Sequence, residues 1–264
     1  MTTLQKAIKY IATAFAIFLI ISIVSGILGV AGIFGLFEEN ALLDTLKTYS
    51  VSNGITKLEI DIAAADFTIK ESDSFFVESN LKNLNVTEKS GVLIIKAKNR
   101  IGIKHTNATL VLGIPKETVF KDADITTGAG KLSIDILAAD ALELEFGAGE
   151  VIINSLVSNN NININGGAGK ITISDGQLNN LDLDMGVGQL NLTAALSGNN
   201  DFDLGVGESN LTLIGNEEDY SIQIEKGVGN VTVNGKSVSN YNTVNGNSII
   251  DIDGGVGAIN LKFK

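Results

Sequence analysis

The strongest constraint on this chain is a Gly-Ala/Val-Gly triplet that returns seven times. The copies are Gly128-Ala129-Gly130, Gly147-Ala148-Gly149, Gly167-Ala168-Gly169, Gly186-Val187-Gly188, Gly205-Val206-Gly207, Gly227-Val228-Gly229 and Gly255-Val256-Gly257. Their first glycines are separated by 19, 20, 19, 19, 22 and 28 residues. A near-fixed period in this range means supersecondary units that stack, because one unit cannot bury its own apolar face. The chain is therefore expected to be a β-solenoid whose triplets lie one above another.

The unit from Leu142 to Asn154 shows why. Apolar and polar residues alternate on both sides of its triplet, the period of a half-buried strand. Each period holds two short strand-like segments and has no room for a helix between them. Before the triplets, the inward column at the third position is Ile125, Leu144, Ile164, Leu183, Phe202, Ile224 and Ile252. After them, an inward column runs through Ile134, Ile153, Ile173, Leu192, Leu211, Val233 and Leu261. The two halves are out of phase, so the chain must turn a corner near the second glycine, where a residue free to take φ > 0 is needed. Far corners are expected as loops at Ala138–Asp140, Ser158–Asn161, Asp175-Gly176, Ser197–Asn200 and Asn234-Gly235. The Leu/Asn consensus of leucine-rich repeats is missing, and the units are twice the length of calcium-binding nonapeptides. A parallel β-helix of about 20 residues per rung fits best.

Ahead of the repeats, Tyr10 to Phe37 carries no charged residue. That exceeds the ~20 residues needed to cross a bilayer and is too long for the apolar core of a signal peptide. Residues 1–37 are expected to be a cytoplasmic tip and an uncleaved transmembrane helix. Lys6 and Lys9 precede the apolar run and all 30 acids follow it, which places the N-terminus inside and the rest of the chain outside. Residues 38–53 are expected as a juxtamembrane linker with an amphipathic turn through Leu42, Leu43 and Leu46. The β-solenoid ectodomain spans 54–264, with an irregular part at 54–122 and regular rungs at 123–264. Leu58 to Ile69 aligns with Leu142 to Ile153, with Ala63-Ala64-Ala65 in the triplet's place, and is expected to be a degenerate terminal rung. A hairpin is expected about Lys89-Ser90-Gly91, a further strand from Thr109 ends at Pro115, and Asn260–Lys264 is expected as a final strand on an exposed edge.

Four motifs in order carry a family resemblance: Ile62-Ala-Ala-Ala-Asp-Phe-Thr-Ile69, Gly91-Val-Leu-Ile-Ile95, Leu110-Val-Leu-Gly-Ile-Pro115 and Asp124-Ile-Thr-Thr-Gly-Ala-Gly-Lys-Leu-Ser-Ile134. With the N-terminal anchor and the tandem rungs, residues 51–264 resemble the bacterial family of unknown function labelled "putative adhesin". The resemblance implies a single-stranded right-handed β-helix on a Gram-positive-type cell surface, and a link to envelope-stress signalling. It implies no catalytic residues.

The chemistry the residues offer is narrow. With no Cys, one His (His105) and one Arg (Arg100), no thiolate, Ser/His/Asp or His-based metal set can be assembled. Carboxylates abound, so an acid pair acting on polysaccharide stays open as an alternative, but no pair stands out and Trp, the usual sugar platform, is missing. No enzyme activity is expected. The net charge of −11 disfavours nucleic acid and suits a surface facing cationic or calcium-bridged material, such as an envelope polymer or another surface protein. Four and two residues before each triplet, ten of fourteen outward positions are Asp or Glu. Asp182, Asp184, Asp201 and Asp203 are expected as a square of carboxylates and as calcium candidates, against the plainer reading of a solvated face.

Overall fold

Residues 43–97, 108–239 and 241–264 are described by the structure, a computed structural model. The expected anchor at Tyr10–Phe37 lies outside these residues, as do Arg100 and His105. Among the described residues no helix is long and apolar enough to cross a membrane. Their fold is all-β.

The strands are β1 (Leu43–Ser50), β2 (Lys57–Ser72), β3 (Phe76–Leu81), β4 (Asn85–Lys89), β5 (Val92–Ala97), β6 (Thr109–Pro115) and β7 (Phe120–Asn179). They continue as β8 (Leu181–Ser197), β9 (Asn199–Leu213), β10 (Tyr220–Glu225), β11 (Val228–Val233), β12 (Lys236–Val238), β13 (Tyr241–Asn242) and β14 (Ser248–Phe263). From Phe120 to Leu213 the windings stack in chain order. β7 coils through three of them, β8 makes the next and β9 the one after, each pairing in parallel with the last. Register places Leu183 between Ile164 and Phe202, so like residues meet in columns. Every residue of the two inward columns named above is buried.

The windings of β7 and β8 have three paired segments rather than two. After a register shift between Ile173 and Gly176, Gly176–Asn179 pairs with Ala194–Ser197. Leu137, Leu156, Leu178 and Leu196 are buried on this third side. Most of the far corners expected as loops thus lie inside the ladder, because the backbone satisfies its hydrogen bonds against the neighbouring winding as it turns.

The glycine corners are held by contact between backbones. At Gly188 φ is +142, and an added Cβ would stand 1.7 Å from the carbonyl oxygen of Gly169 one winding away. Side chains are excluded there by both dihedral and space.

At the two ends the stack leaves chain order. β14 lies between β9 and the β10–β11 winding: Asp251 stands next to Asp201 on one side and Gln223 on the other. The last winding in sequence is thus second to last in space, and of the segment Asn260–Lys264, expected on an exposed edge, Asn260 and Leu261 sit between β9 and β11 while Lys262 and Phe263 pair with β9. The reason is the return path. β12 folds back antiparallel on β11, and β13 folds back on β10. The chain then crosses beneath Asp219 and Tyr220 at Gly246, where an added Cβ would lie 1.9 Å from the Asp219 backbone. Ser221 Oγ donates to the Gly246 carbonyl at 2.8 Å and fixes the crossing.

The N-terminal end does the same. β2 aligns with the first regular winding, Ile60 beside Ile125 and Ala64 beside Ala129. It is not terminal: its other edge is taken by β5 and β6, which form the outer winding. β4 caps β5, β3 caps β6 and β1 caps β3, all antiparallel. Ser90 and Gly91, both at positive φ, make the two-residue β4–β5 turn. The connector expected to hold a helical turn is, from Leu43, the strand β1, because Leu43–Ser50 finds an open edge on β3 and completes it with backbone bonds. Nine windings among the described residues span about 38 Å at ~4.8 Å per step.

Candidate functional site

The outward columns form two contrasting ladders. On the flank before the triplets, register brings Asp182, Asp201 and Asp251 into one row, and Asp184, Asp203 and Asp253 into the next. The square expected from four aspartates is therefore part of a grid of six. Asn163 and Asn165 border it on one side, Gln223 and Glu225 on the other. Asp251 and Asp253 were not anticipated beside Asp201 and Asp203, since chain order puts the Gly227 winding between them.

All six carboxylates are exposed. Neighbours one strand spacing apart repel by roughly 0.9 kcal/mol in water before screening. Partial desolvation against the sheet, then the neighbouring charges, raises the carboxyls of Asp184, Asp201 and Asp253 above the usual range. Asp124, in the same column nearer the N-terminus, is raised by desolvation and by Glu143. Lysines meet the acids only towards that end among the described residues. Lys57 pairs with Asp122 at 3.3 Å, Lys131 with Glu150 at 3.5 Å, and Lys96 with Glu59.

The grid is flat, so its oxygens do not converge. Among the described residues no group of three or more carboxylate or imidazole side chains is arranged to hold a metal ion. The arrangement can present a dense negative surface; it does not build a coordination shell.

The flank after the triplets carries a neutral ladder. Asn191 Nδ2 donates to Thr172 Oγ1 at 3.5 Å, Asn210 to Asn191 Oδ1 at 3.0 Å, and Asn260 to Asn210 Oδ1 at 3.0 Å. Thr232 Oγ1 closes the run on Asn260 Oδ1 at 2.8 Å. Five windings are linked, and Asn260 again stands between the β9 and β11 windings. The sequence reading missed this ladder, although Asn at five residues past the first glycine in three units was a usable signal.

Asn200 is the buried polar residue at the C-terminal rearrangement. It accepts from the Leu181 amide at 3.2 Å and donates to the Ile249 carbonyl at 3.0 Å, tying β8, β9 and β14 together. A protein-family model matches residues 55–254, from just before β2 into β14.

The chain belongs to the Toastrack DUF4097 family.

Solved structures that match the chain include a protein described as a "putative adhesin" from Parabacteroides distasonis, 16% identical with a TM-score of 0.44, covering 86% of this Toastrack chain and 100% of that one. Another, from Bacteroides fragilis and described in the same words, is 12% identical with a TM-score of 0.42, covering 86% and 99%. A "putative cell adhesion protein" from Clostridium sporogenes is 16% identical with a TM-score of 0.30, covering 83% and 99%. No protein of curated function matches the chain. The glycine corners themselves border a shallow apolar furrow with Ala129, Phe146, Ala148, Ala168 and Met185 along it.

Proposed function

We propose that this Toastrack protein is a non-enzymatic, membrane-anchored element of the cell surface, an adhesin or envelope scaffold, whose coil is the binding part. The observation that carries this reading is the position of β1. It is the outermost strand of one end of the stack, and five residues separate it from the apolar segment that closes at Phe37. A linker of that length reaches at most about 20 Å. With residues 10–37 as a single-pass anchor, the capped N-terminal end of the coil faces the bilayer and the windings stack away from it.

The side surfaces then point sideways into the envelope, with acids predominating on one flank and an Asn/Thr ladder on the other, spaced by ~4.8 Å from winding to winding. A regular, flat, charged surface suits an extended partner, a cationic or calcium-bridged envelope polymer or surface protein, that can match several windings at once. Protease added to intact, wall-stripped cells should digest the coil. Protection of the coil would overturn the topology. Purified protein offered cell-wall polysaccharides should bind saturably without product; turnover abolished by one Asp→Asn change would replace the scaffold reading by a polysaccharide-active enzyme.

A further inference from the structure

The C-terminal strand occupies a slot that another copy of the same strand fits. β14 lines up with β9 from Ile249 beside Asn199 to Phe263 beside Leu213. Its other edge pairs with β10 from Ser248 to Asp253 and with β11 from Val256 to Leu261. Withdrawing β14 would leave two facing edges unpaired and uncover the buried Phe202, Leu211, Ile222, Ile224, Val231 and Val233. A winding at an outer end exposes one edge when it leaves; this one exposes two.

The slot is also selective. An added Cβ at Gly255 would lie 2.0 Å from the Gly205 carbonyl, and one at Gly257 would lie 1.7 Å from the Gly207 carbonyl, so an occupant must carry glycine at both places. It must also present a main-chain carbonyl to Asn200 and an amide side chain to Asn210 and Thr232, as Ile249 and Asn260 do. Strand addition draws affinity from main-chain bonds and specificity from such fitted positions. β14 meets all of these demands at once, from this chain or from a second copy; β8 and β9 carry the same glycine and asparagine spacing, but each is itself held between two neighbouring windings.

The connection permits the second choice. The strap from Thr243 to Asn247 runs over the surface, with Val244 86% exposed. It is tied by the Ser221–Gly246 hydrogen bond, by the backbone pair between Thr243 and Ile222, and by the Ile222 amide donating to Thr243 Oγ1 at 3.1 Å. Opening that strap keeps every β9–β14 and β14–β11 contact available between chains, and exchange of an identical element is a low-cost route to a dimer. We propose that Toastrack coils of this sequence associate by reciprocal exchange of β14 between two copies.

The test uses the lack of native cysteine. Full-length chains carrying Asp201→Cys and differently tagged full-length chains carrying Asp251→Cys are mixed in detergent, warmed briefly below the melting transition and oxidised. Asp201 and Asp251 are register partners, within disulfide reach only when β14 of one chain lies on β9 of the other. A control mixture pairs Asp182→Cys chains with Asp251→Cys chains, whose positions lie two windings apart and out of reach. About tenfold more mixed disulfide in the first mixture is expected. The Asp201→Cys/Asp251→Cys double variant, closing a disulfide within one chain, verifies that the register survives the substitutions. Failure of the mixed dimer to form, or its formation equally in the control, would overturn exchange.

Discussion

The middle of the coil and its ends obey the same local rules and different global ones. Between Phe120 and Leu213 each winding pairs with the winding before it in sequence, so contacts repeat at one period and each unit is interchangeable with its neighbour. At the ends the chain doubles back, and the outermost winding is made by residues that are not outermost in sequence. A simple stack would finish on bare parallel edges, which invite pairing with other chains. Doubling back covers them with the antiparallel strands β3 and β4 at one end and β12 and β13 at the other. Closure thus depends on a few particular side chains, whereas the middle depends on a repeated one.

The largest effect is expected from the repeated feature. Gly188→Val puts a β-branched side chain at φ +142 and against the Gly169 carbonyl, and should cost about 3 kcal/mol or more by thermal or urea unfolding. Gly235→Val, also at positive φ but with nothing within 4 Å of its Cβ, should cost about 1–3 kcal/mol, for strain alone. Equal losses at the two sites would mean that close approach of windings is not what selects glycine.

Next comes the crossover. Gly246→Ala places a methyl group against the Asp219 backbone at ordinary φ, and should cost about 2 kcal/mol by moving the strap. The change should raise amide exchange in β14 more than in β7; uniform exchange across both would break the distinction between ends and middle.

Asn200→Ala should cost about 2 kcal/mol, since it strands the buried Leu181 amide and removes the donor to the part-buried Ile249 carbonyl. Asn191→Ala, half-buried in the neutral ladder, should cost about 1 kcal/mol. The reverse order of losses would put the weight of the structure in the ladder rather than in the closure.

The smallest effect belongs to the acid grid. The raised carboxyl of Asp201 means that the fold takes up a proton more readily than the unfolded chain does. Stability from this group is therefore fully present below the ordinary carboxylate range and is lost as pH rises through the raised value. Asp201→Asn should raise the melting temperature slightly at pH 7, with the gain shrinking as pH falls towards about 4. Calcium should act no differently from sodium at matched ionic strength; a saturating calcium increment, lost when Asp182, Asp184, Asp201 and Asp203 become Asn, would make the grid a cation site.

Much of the middle was legible from the sequence because its signals are local and repeated. The inward columns through Ile125 and Ile134 follow from alternation, and the triplets mark where alternation changes phase. The third buried side, with Leu156 and Leu178, was obscured because Asn, Ser, Asp and Gly beside those leucines read as loop, while in a coil such residues can turn and still pair. At the ends the β4–β5 hairpin and the strand β6 were legible, but the order of the windings was not. Nothing in the spacing of Gly205, Gly227 and Gly255 says which winding is the neighbour of which, since the β10–β11 and β14 units fit β9 by the same pattern. What decides is tertiary: the β12 and β13 returns, the room at Gly246 and the bonds of Asn200. For the same reason four aspartates of the grid were expected to be neighbours and the other two were not.

Stacking order is the claim on which the closed ends, the six-aspartate grid and the exchangeable strand all rest, and disulfide trapping in this cysteine-free chain tests it most directly. The Asp203→Cys/Asp253→Cys variant should close an intramolecular disulfide on mild oxidation, because those residues are register partners across β9 and β14. The Asp203→Cys/Glu225→Cys variant should stay reduced, because β14 separates the two positions by two strand spacings, about 9.6 Å. Rapid closure of the second pair with the first left open would show the windings stacked in chain order, with β14 outside β10 and β11 rather than between them and β9.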